Sequence, residues 1–523
     1  MNDFVDLTGP AQELLKEWPF LAYDALGPLV DVVKPPAHIL RPIAKRLHAH
    51  GWRLGTIVAS QAGGDSVTLR YCFYRACGPG WIHVLIHVDR KTQEPPSLTP
   101  SYISADRHER EIEDLFSVTF ASHPRLGDFV LHDDKWAEGI GLMRLRTADK
   151  IHQTSRAWKP HRVLREEGAF MMPVGPIFSG HAESALFLLE TVGEDVVRAV
   201  PRLFYKYRAI EKIAEGRSIH DALLLVERCN GTSAFGNGWG YCNAVEAALG
   251  IDVPDRANVL RTFLAELERL RHHAGAIRDI CESTALAVAA NESAVYEEEL
   301  LRASERLTGH RYLFGMLAVG GLMRDLADVD IHDVQQRIRM LWPKLARLRE
   351  ALMRTSSFLD RIEQIGIISP EKAHTFELLG PMARASAMML DMRVSHAYGS
   401  YGAVDFAVPV ESEGDGFARL RVLFAEIEQS VLIMTRLATT LQGPVRVDTP
   451  VRGSSALGWT EAPRGASLHW VEISDEGALL RYHFVPPSFR NWHGFHIATE
   501  DFAFQDFPII LATLDLSVAE NDR

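Results

Sequence analysis

The chain has 523 residues, 47% of them hydrophobic and 24% charged, with a formal net charge of −12. That length exceeds one ordinary hydrophobic core and implies two or three domains, while the acidic balance argues against a general nucleic-acid binder. Five cysteines (Cys72, Cys77, Cys229, Cys242, Cys281), odd in number and without a C-x-x-C pair, argue against a secreted disulfide scaffold and for a reducing compartment.

The first eighteen residues, MNDFVDLTGPAQELLKEW, carry early acidic side chains and no apolar signal-peptide core. The longest apolar run, at 312–323, has twelve residues, where a membrane helix needs about 20. The expectation is a chain that reaches a membrane only through partners. Residues 36–49 read as a short helix after Pro35-Pro36. Three strands are predicted next, at 53–60, at 66–75 after a Gly-Gly-Asp turn, and at 81–90. In the last, Ile82, Val84, Ile86 and Val88 recur at period two. His83 and His87 share the opposite face, expected to be solvated. They stand too far apart to chelate easily, at roughly 3.3 Å rise per residue.

A proline-rich turn (Pro95, Pro96, Pro100) leads into DRHEREIEDLFSVTFASHPRLGDFVLHDDKW at 106–136. Asp106 is a candidate helix N-cap, and Glu109 three residues on completes a capping-box pattern. The run keeps Glu109, Arg110, Glu111, Asp114, Leu115, Phe116, Phe120, His123, Pro124, Asp133, Asp134 and Trp136. With them it resembles the signature of the small peripheral subunit of respiratory complex I, a segment that in that family docks the quinone-side redox subunits together. Residues 137–168, mixed and charged, read as a linker.

Beyond Phe170 most elements are predicted helical. Val259, Leu260, Phe263, Leu264, Leu267, Leu270, Ala274 and Ile277 fall at helical spacing within 258–280. Residues 333–353 read as a helix with Pro343 inside, where a kink or break is expected. Residues 420–441 read as a long amphipathic helix closed by Gly443-Pro444. The stretch 452–495 reads as strand, and the chain ends in an apolar segment at 507–516. It has no internal repeat and no low-complexity tract.

The chemistry concentrates at 228–246, RCNGTSAFGNGWGYCNAVE. Arg228, Gly231, Phe235, Tyr241, Val245 and Glu246 form a frame that resembles the R-x-C-G-x-C…A-V-E segment of the large subunits of energy-converting nickel–iron hydrogenases, the formate-hydrogenlyase type. Further landmarks carry the resemblance to the C-terminus, and to a relative, the quinone-site subunit of complex I. They include Gly175-Pro176, Glu268-Arg269, His273, Gly380-Pro381, Arg384-Ala385-Ser386, Asp391, Arg393, Tyr401, Gly414-Asp415 and the EAPRG run that holds Arg464. The order, small-subunit domain then large-subunit domain, is that of the formate-hydrogenlyase large subunit. The resemblance implies an α+β protein: a small N-terminal α/β domain over 1–145, a linker over 146–169, and a mainly helical hydrogenase-large-subunit-like domain over 170–523.

In that family four cysteines hold the active-site metals, two in the first motif and two in a D-P-C-x-x-C motif near the C-terminus. Soft thiolates suit nickel, and the ligand is the deprotonated sulfur. Here the four positions fall on Asn230, Ser233, Ser517 and Glu520. The family proline falls on Leu516, and a family histidine after the first motif falls on Asn237. The spacing of Cys229 and Cys242 matches no hydrogenase pattern. Catalytic relatives carry a cleaved C-terminal extension, whereas this sequence stops at Arg523, so none is expected. Glu183 falls on the family glutamate used in proton transfer. Arg464 falls on the arginine that lies against the iron's diatomic ligands, and its alternative reading is an ion-pair partner. Asp391, Asp415, Glu266 and His273 are read as proton-bearing groups or as ion pairs between helices. The family histidine before Glu183 falls on Phe178, which breaks the complex I pattern G-P-Q-H-P.

The functional expectation is a peripheral-arm subunit of a complex-I-like redox or ion-translocating complex, on a hydrogenase scaffold without a nickel–iron site. Glu183 and Arg464 are the candidate working residues, as proton relay and cavity arginine. No cofactor is expected in this chain, and an iron–sulfur cluster is expected in a partner subunit. The expected partners are that iron–sulfur subunit, membrane subunits of antiporter type and, in one alternative, quinone, but not nucleic acid. The expected place is the cytoplasm, on the inner face of the cell membrane. The alternatives are a quinone-reducing subunit of complex I type and a scaffold with no electron transfer through it.

Overall fold

The computed structural model describes residues 12–25, 30–76, 78–125, 130–132, 143, 164, 167–178 and 183–523. The chain forms two compact units, the first running to His161 and including Thr375–Glu377, the second holding the remainder.

In the first unit β1 (Ala22–Ala25), β2 (Val30–Lys34), β3 (Trp52–Gly63), β4 (Ser66–Arg75) and β5 (Trp81–Asp89) form a sheet in the order β1-β2-β5-β4-β3. The β2–β5 pair is parallel and the other pairs are antiparallel. Helices α1 (Gln12–Glu17), α2 (Leu40–Ala49) and α3 (Ala105–Phe116) accompany the sheet. Leu40, Ile43, Ala44 and Leu47 of α2 are buried, the spacing that gathers one helical face toward a core.

The expected solvated face of β5 is corrected at His83. The strand is central, between β2 and β4, and its first six residues are buried on both faces. His83 lies in the core, with Nδ1 3.4 Å from Arg70 Nη1, while His87 is exposed and 3.0 Å from Thr68 Oγ1. The capping box is corrected too. The helix begins after Ser104, so Asp106 sits inside its first turn. Glu109 turns to the preceding loop instead, accepting from Ser97 Oγ at 2.5 Å, Leu98 N at 2.6 Å and Thr99 Oγ1 at 3.1 Å. Three buried donors take the place of the single cap N–H, and burial still pushes its carboxyl up to about 7. Cys77, Asp133, Asp134 and Trp136 lie outside the described residues, as does most of 146–169.

The second unit opens with β6 (Ala169–Val174), β7 (Leu186–Val192) and β8 (Asp195–Arg202). Then come α4 (Ile210–Ala214), α5 (Ile219–Glu227), α6 (Ala234–Leu249), α7 (Asp255–Ser283) and α8 (Ala287–Thr308). A short ribbon, β9 (Leu317–Ala318) with β10 (Gly321–Leu322), precedes α9 (Asp328–Leu352), α10 (Ser356–Ile362), α11 (Pro370–Thr375), α12 (Gly380–Arg384), α13 (Met392–Ser395) and α14 (Gly416–Arg436). The chain closes with β11 (Ser454–Ala462), β12 (Gly465–Ile473), β13 (Leu479–Val485), α15 (Pro487–Ala498), β14 (Glu500–Ala503), α16 (Phe507–Leu514) and α17 (Val518–Asp522). Strands β14-β8-β7-β6 make one antiparallel sheet and β11-β12-β13 another. The fold class is α+β, as the sequence indicates.

Helices α7 and α6 form the centre. Leu260, Phe263, Leu264, Leu267, Leu270 and Ile277 of α7 are buried in one continuous core with α6, α8, α9 and α14. Glycines within α6 cost roughly 1 kcal/mol each in helix propensity, but they let the helix lie against the β11–β12 hairpin. A Cβ at Gly240 would come within 2.6 Å of His469, and one at Gly458 on β11 would collide with the backbone of Ala244.

Helix α9 runs through Pro343 without a break. Two expectations are corrected here. Helix α14 ends at Arg436, where Leu437 turns extended (ψ 137°), before the Gly443-Pro444 stop is reached. The strand run ends at Val485, and Pro487, at the first position of α15, starts a helix there, since proline's fixed φ and missing N–H suit that position. Among the described residues no helix is long and apolar enough to cross a membrane.

Candidate functional site

The two distant motifs meet in the second unit. Asn230 lies after α5 in an extended conformation (φ −146°, ψ 120°), at the head of the turn that enters α6. Its Oδ1 accepts from Thr232 N at 2.9 Å and Thr232 Oγ1 at 2.8 Å. This Asx-type turn leaves Nδ2 to donate to Ser517 Oγ at 3.0 Å. Ser517 caps α17, accepting from Glu520 N at 3.1 Å, and donates to the Glu183 carboxylate, 3.1 and 3.3 Å from its two oxygens. One donor and two acceptor sites exhaust a hydroxyl, so Ser517 is fully engaged. Glu183 also accepts from Ala519 N at 3.0 Å and from Val518 N. Glu520 points away, its Oε2 accepting from Ser488 Oγ at 2.6 Å. Its carboxyl is fully buried, and burial raises its pKa against the pull of Arg464.

Arg464 occupies the turn joining β11 to β12. Gly380 makes that placement possible: its φ is +63°, and a Cβ there would collide with the Arg464 carbonyl. The guanidinium donates from Nε to Asp515 O at 2.7 Å, from Nη2 to Asp515 Oδ1 at 3.0 Å, and from Nη1 to Thr232 Oγ1 at 2.9 Å, with Ser233 Oγ at 3.5 Å. On the far side of Asp515, Oδ2 accepts from His272 Nε2 at 2.6 Å. Burial opposes ionisation of Asp515, but Arg464 and His272 outweigh it and hold the carboxylate well below its ordinary range. Burial pushes His272 down to about 3 even against Asp515, so this imidazole is a neutral donor near neutrality.

These groups floor a cleft of about 640 Å³. Glu183, Asn230, Thr232, Arg464 and Ser517 form its polar side; Phe178, Phe187, Trp492, Phe507 and Leu511 form an apolar wall. The Phe187 ring packs 5.3 Å from Phe507 and 6.2 Å from Trp492. Such a cleft suits a flat or apolar ligand whose polar end meets a carboxylate, an amide and an arginine. Ser233 and Glu520 are buried and do not line it.

Glu183 and Arg464 thus share one cleft, and Arg464 is also an ion-pair partner, of Asp515. Asp391 and Glu266 pair with Arg393, His273 bonds Glu426, and Asp415 caps α14 through Ala418 N at 2.7 Å. Cys229 and Cys242 are buried thiols; burial pushes Cys229 up to about 12 and Cys242 higher still. Sequence reasoning passed over Thr232, His272, Ser488 and Asp515. Asp515 stood two residues before one ligand position and Thr232 lay between two others, which are the signals available; His272 and Ser488 are joined to the site only by folding.

The family described as "Respiratory-chain NADH dehydrogenase, 30 Kd subunit" matches residues 33–147, and that described as "Respiratory-chain NADH dehydrogenase, 49 Kd subunit" matches 279–452 and 448–523. Formate hydrogenlyase subunit 5 of Escherichia coli is 30% identical over 452 residues, covering 85% of this chain and 79% of that protein. The fused C/D protein of the NADH-quinone oxidoreductase of Acinetobacter baumannii is 26% identical over 496 residues, 84% of this chain and 82% of that one. Among solved structures, a chain of the membrane-bound sulfane sulfur reductase, an archaeal respiratory membrane complex, is matched over its whole length. That match covers 69% of this chain with a TM-score of 0.64 and 27% identity. The chain therefore belongs to the family that joins formate hydrogenlyase subunit 5 to the fused C/D proteins of NADH-quinone oxidoreductase, whose members are subunits of complex-I-like membrane complexes.

Proposed function

We propose that this chain is a peripheral-arm subunit of a complex-I-like membrane assembly, and that its hydrogenase-shaped cleft works without nickel. One observation carries the reading. The four family ligand positions supply an amide, two hydroxyls and a buried carboxyl, and the hydrogen bonds of Asn230, Ser517 and Glu520 run to one another, to Glu183 and to Ser488. A nickel–iron centre draws on soft thiolates. A hydroxyl that stays protonated and an amide are no substitute, and the Arg464 cation stands beside them. The donor set does not fit that group.

In this reading Glu183 offers a carboxylate at the cleft through which a proton passes, and Arg464, fixed by Asp515, sets the positive charge on its floor. Electrons arrive from an iron–sulfur cluster held by a partner subunit. Membrane subunits of antiporter type move the ion, and the chain sits on the inner face of the cell membrane through them. The multi-subunit membrane complexes named for its relatives support this. Affinity purification of the chain from its own cells is expected to bring iron–sulfur and membrane subunits with it. Glu183→Gln should lower the turnover of that complex by about tenfold or more with assembly intact; unchanged turnover, or a chain that purifies alone, contradicts the proposal.

A second reading makes the cleft a quinone site, favoured by its aromatic wall at Phe178, Phe187 and Trp492. A photoreactive quinone analogue should then label the 170–250 region and inhibit the complex; neither effect is expected under the first reading.

A further inference from the structure

We propose that the interior of the second unit holds a one-proton store, a buried arginine–carboxyl cluster whose charges balance only when Glu461 carries a proton. The members are in direct contact. Arg384 Nε is 2.7 Å from Glu426 Oε1, and Arg384 Nη1 is 2.9 Å from Glu461 Oε1 and 3.5 Å from Asp391 Oδ2. Arg393 joins Asp391 at 2.7 Å and Glu266 at 3.1 Å. Arg269 lies 3.4 Å from Glu426 and 3.5 Å from Glu266. None of the seven is more than 5% exposed. Three guanidinium groups face four carboxyls, which leaves one negative charge over. An uncompensated buried charge costs several kcal/mol, so such a group takes up a proton instead.

The contacts decide which group takes it. Glu266 has Arg393 and two hydroxyl donors, Tyr401 and Ser430, each at 2.6 Å. Asp391 accepts three bonds from Arg393, through its main-chain N, Nε and Nη2. Glu426 touches Arg384, Arg269 and His273. Each of these environments stabilises the ionised form. Glu461 has one guanidinium and the Met392 N–H at 3.1 Å. Burial and the facing Asp391 raise its pKa, whereas Glu266, Asp391 and Glu426 are held low against their burial. The phenols of Tyr398 and Tyr401 are pushed upward by burial and add no charge. Two further carboxyls lie outside the cluster: Asp515 is matched by Arg464, while burial raises Glu268 to about 7 against Arg271 and the N–H groups of Phe235 and Gly236.

His273 is a second seat for the proton. Its Nε2 is 2.9 Å from Glu426 Oε2, and its Nδ1 has no partner among the described residues. Burial keeps this imidazole low despite Glu426, so the proton rests on Glu461. The His272 ring lies 5.7 Å from the His273 ring and ends the chain Arg464–Asp515–His272 that starts at the cleft floor. A change of charge in the cleft therefore acts on the store through Asp515; this link, unlike the store itself, rests on the proposed role of the cleft.

The test is infrared spectroscopy of the full chain in its native complex, with carbon-13-labelled glutamate, at about neutral pH. The expected result is a protonated carboxylic-acid carbonyl band that shifts with the label and is lost in Glu461→Gln. Glu461→Gln should also leave the thermal midpoint in place, since the amide mimics a protonated acid, while Glu426→Gln should lower it. If no labelled band is present in the unmutated complex, or if Glu461→Gln leaves the band unchanged, the store does not exist as described. A Glu461→Gln midpoint falling as far as that of Glu426→Gln overturns it equally. Because burial also raises Glu109, Glu268 and Glu520, the Glu461 band is the component lost in Glu461→Gln, and absence of any band from the unmutated complex overturns the store even where the variant fails to fold. Nickel content and cleft-ligand binding bear on the proposed function alone.

Discussion

Two polar regions of the second unit are built on opposite plans. The cleft floor is a hydrogen-bonded seam of largely neutral groups, Asn230, Ser517 and Ser488, with Glu183 and Arg464 at its edge. The other region is a buried cluster of ionisable side chains, Arg269, Arg384 and Arg393 against Glu266, Asp391, Glu426 and Glu461. Hydroxyl–amide seams contribute about 1 kcal/mol per bond and can be exchanged one side chain at a time. Buried charges must be kept together, because removing one strands the others. The lesson is that single side chains of the seam can be exchanged at modest cost, whereas the charged frame stands or falls together.

That contrast can be broken at several points, the charged side first. Arg384→Met removes the guanidinium shared by Glu426, Glu461 and Asp391. It should cost about 3–5 kcal/mol, read as a large drop in the thermal midpoint or loss of folded chain.

Acid comes next. Burial holds His272 and His469 down to about 3, each ordinarily near 6.5. The unfolded chain binds those protons below 6.5 and the folded chain does not until about 3. Stability is therefore complete above 6.5 and falls as the pH drops through that window, by about 1.4 kcal/mol per pH unit per histidine. Thermal midpoints measured across the window should slope downward, and His469→Gln should flatten the slope. An equal slope in that variant removes His469 from the account.

On the seam, Ser517→Ala removes the α17 cap and the link between Asn230 and Glu183. The expected cost is about 1–2 kcal/mol, with assembly intact. A double-mutant cycle with Asn230→Ala should return a coupling of about 0.5–1.5 kcal/mol. The smallest effect belongs to the surface. Arg302→Ala on α8, which breaks the i,i+4 pair with Glu298, should stay within about 0.5 kcal/mol.

Much of the scaffold was legible in the sequence because it is local. Strand β4 has the bounds read for the run after the Gly-Gly-Asp turn, and α7 extends the predicted 258–280 by a turn at its N-terminus and three residues at its C-terminus. The misses came where tertiary context overrode local signals. His83 alternates like a surface residue but sits on a strand covered on both sides. Glu109 has the spacing of a capping box, yet three buried donors claim it. Pro487 lies within the stretch read as strand and is a helix start. At the site, motif positions alone located Asn230, Ser517, Glu183 and Arg464. The Asp515–His272 bond and the Ser488–Glu520 bond join residues far apart in sequence, and no spacing rule announces them.

The central claim is that the cleft has exchanged metal chemistry for hydrogen bonds. Metal analysis of the purified native complex tests it most directly. The account predicts iron from partner clusters and nickel at background; one nickel per copy of this chain, retained through purification, would contradict it.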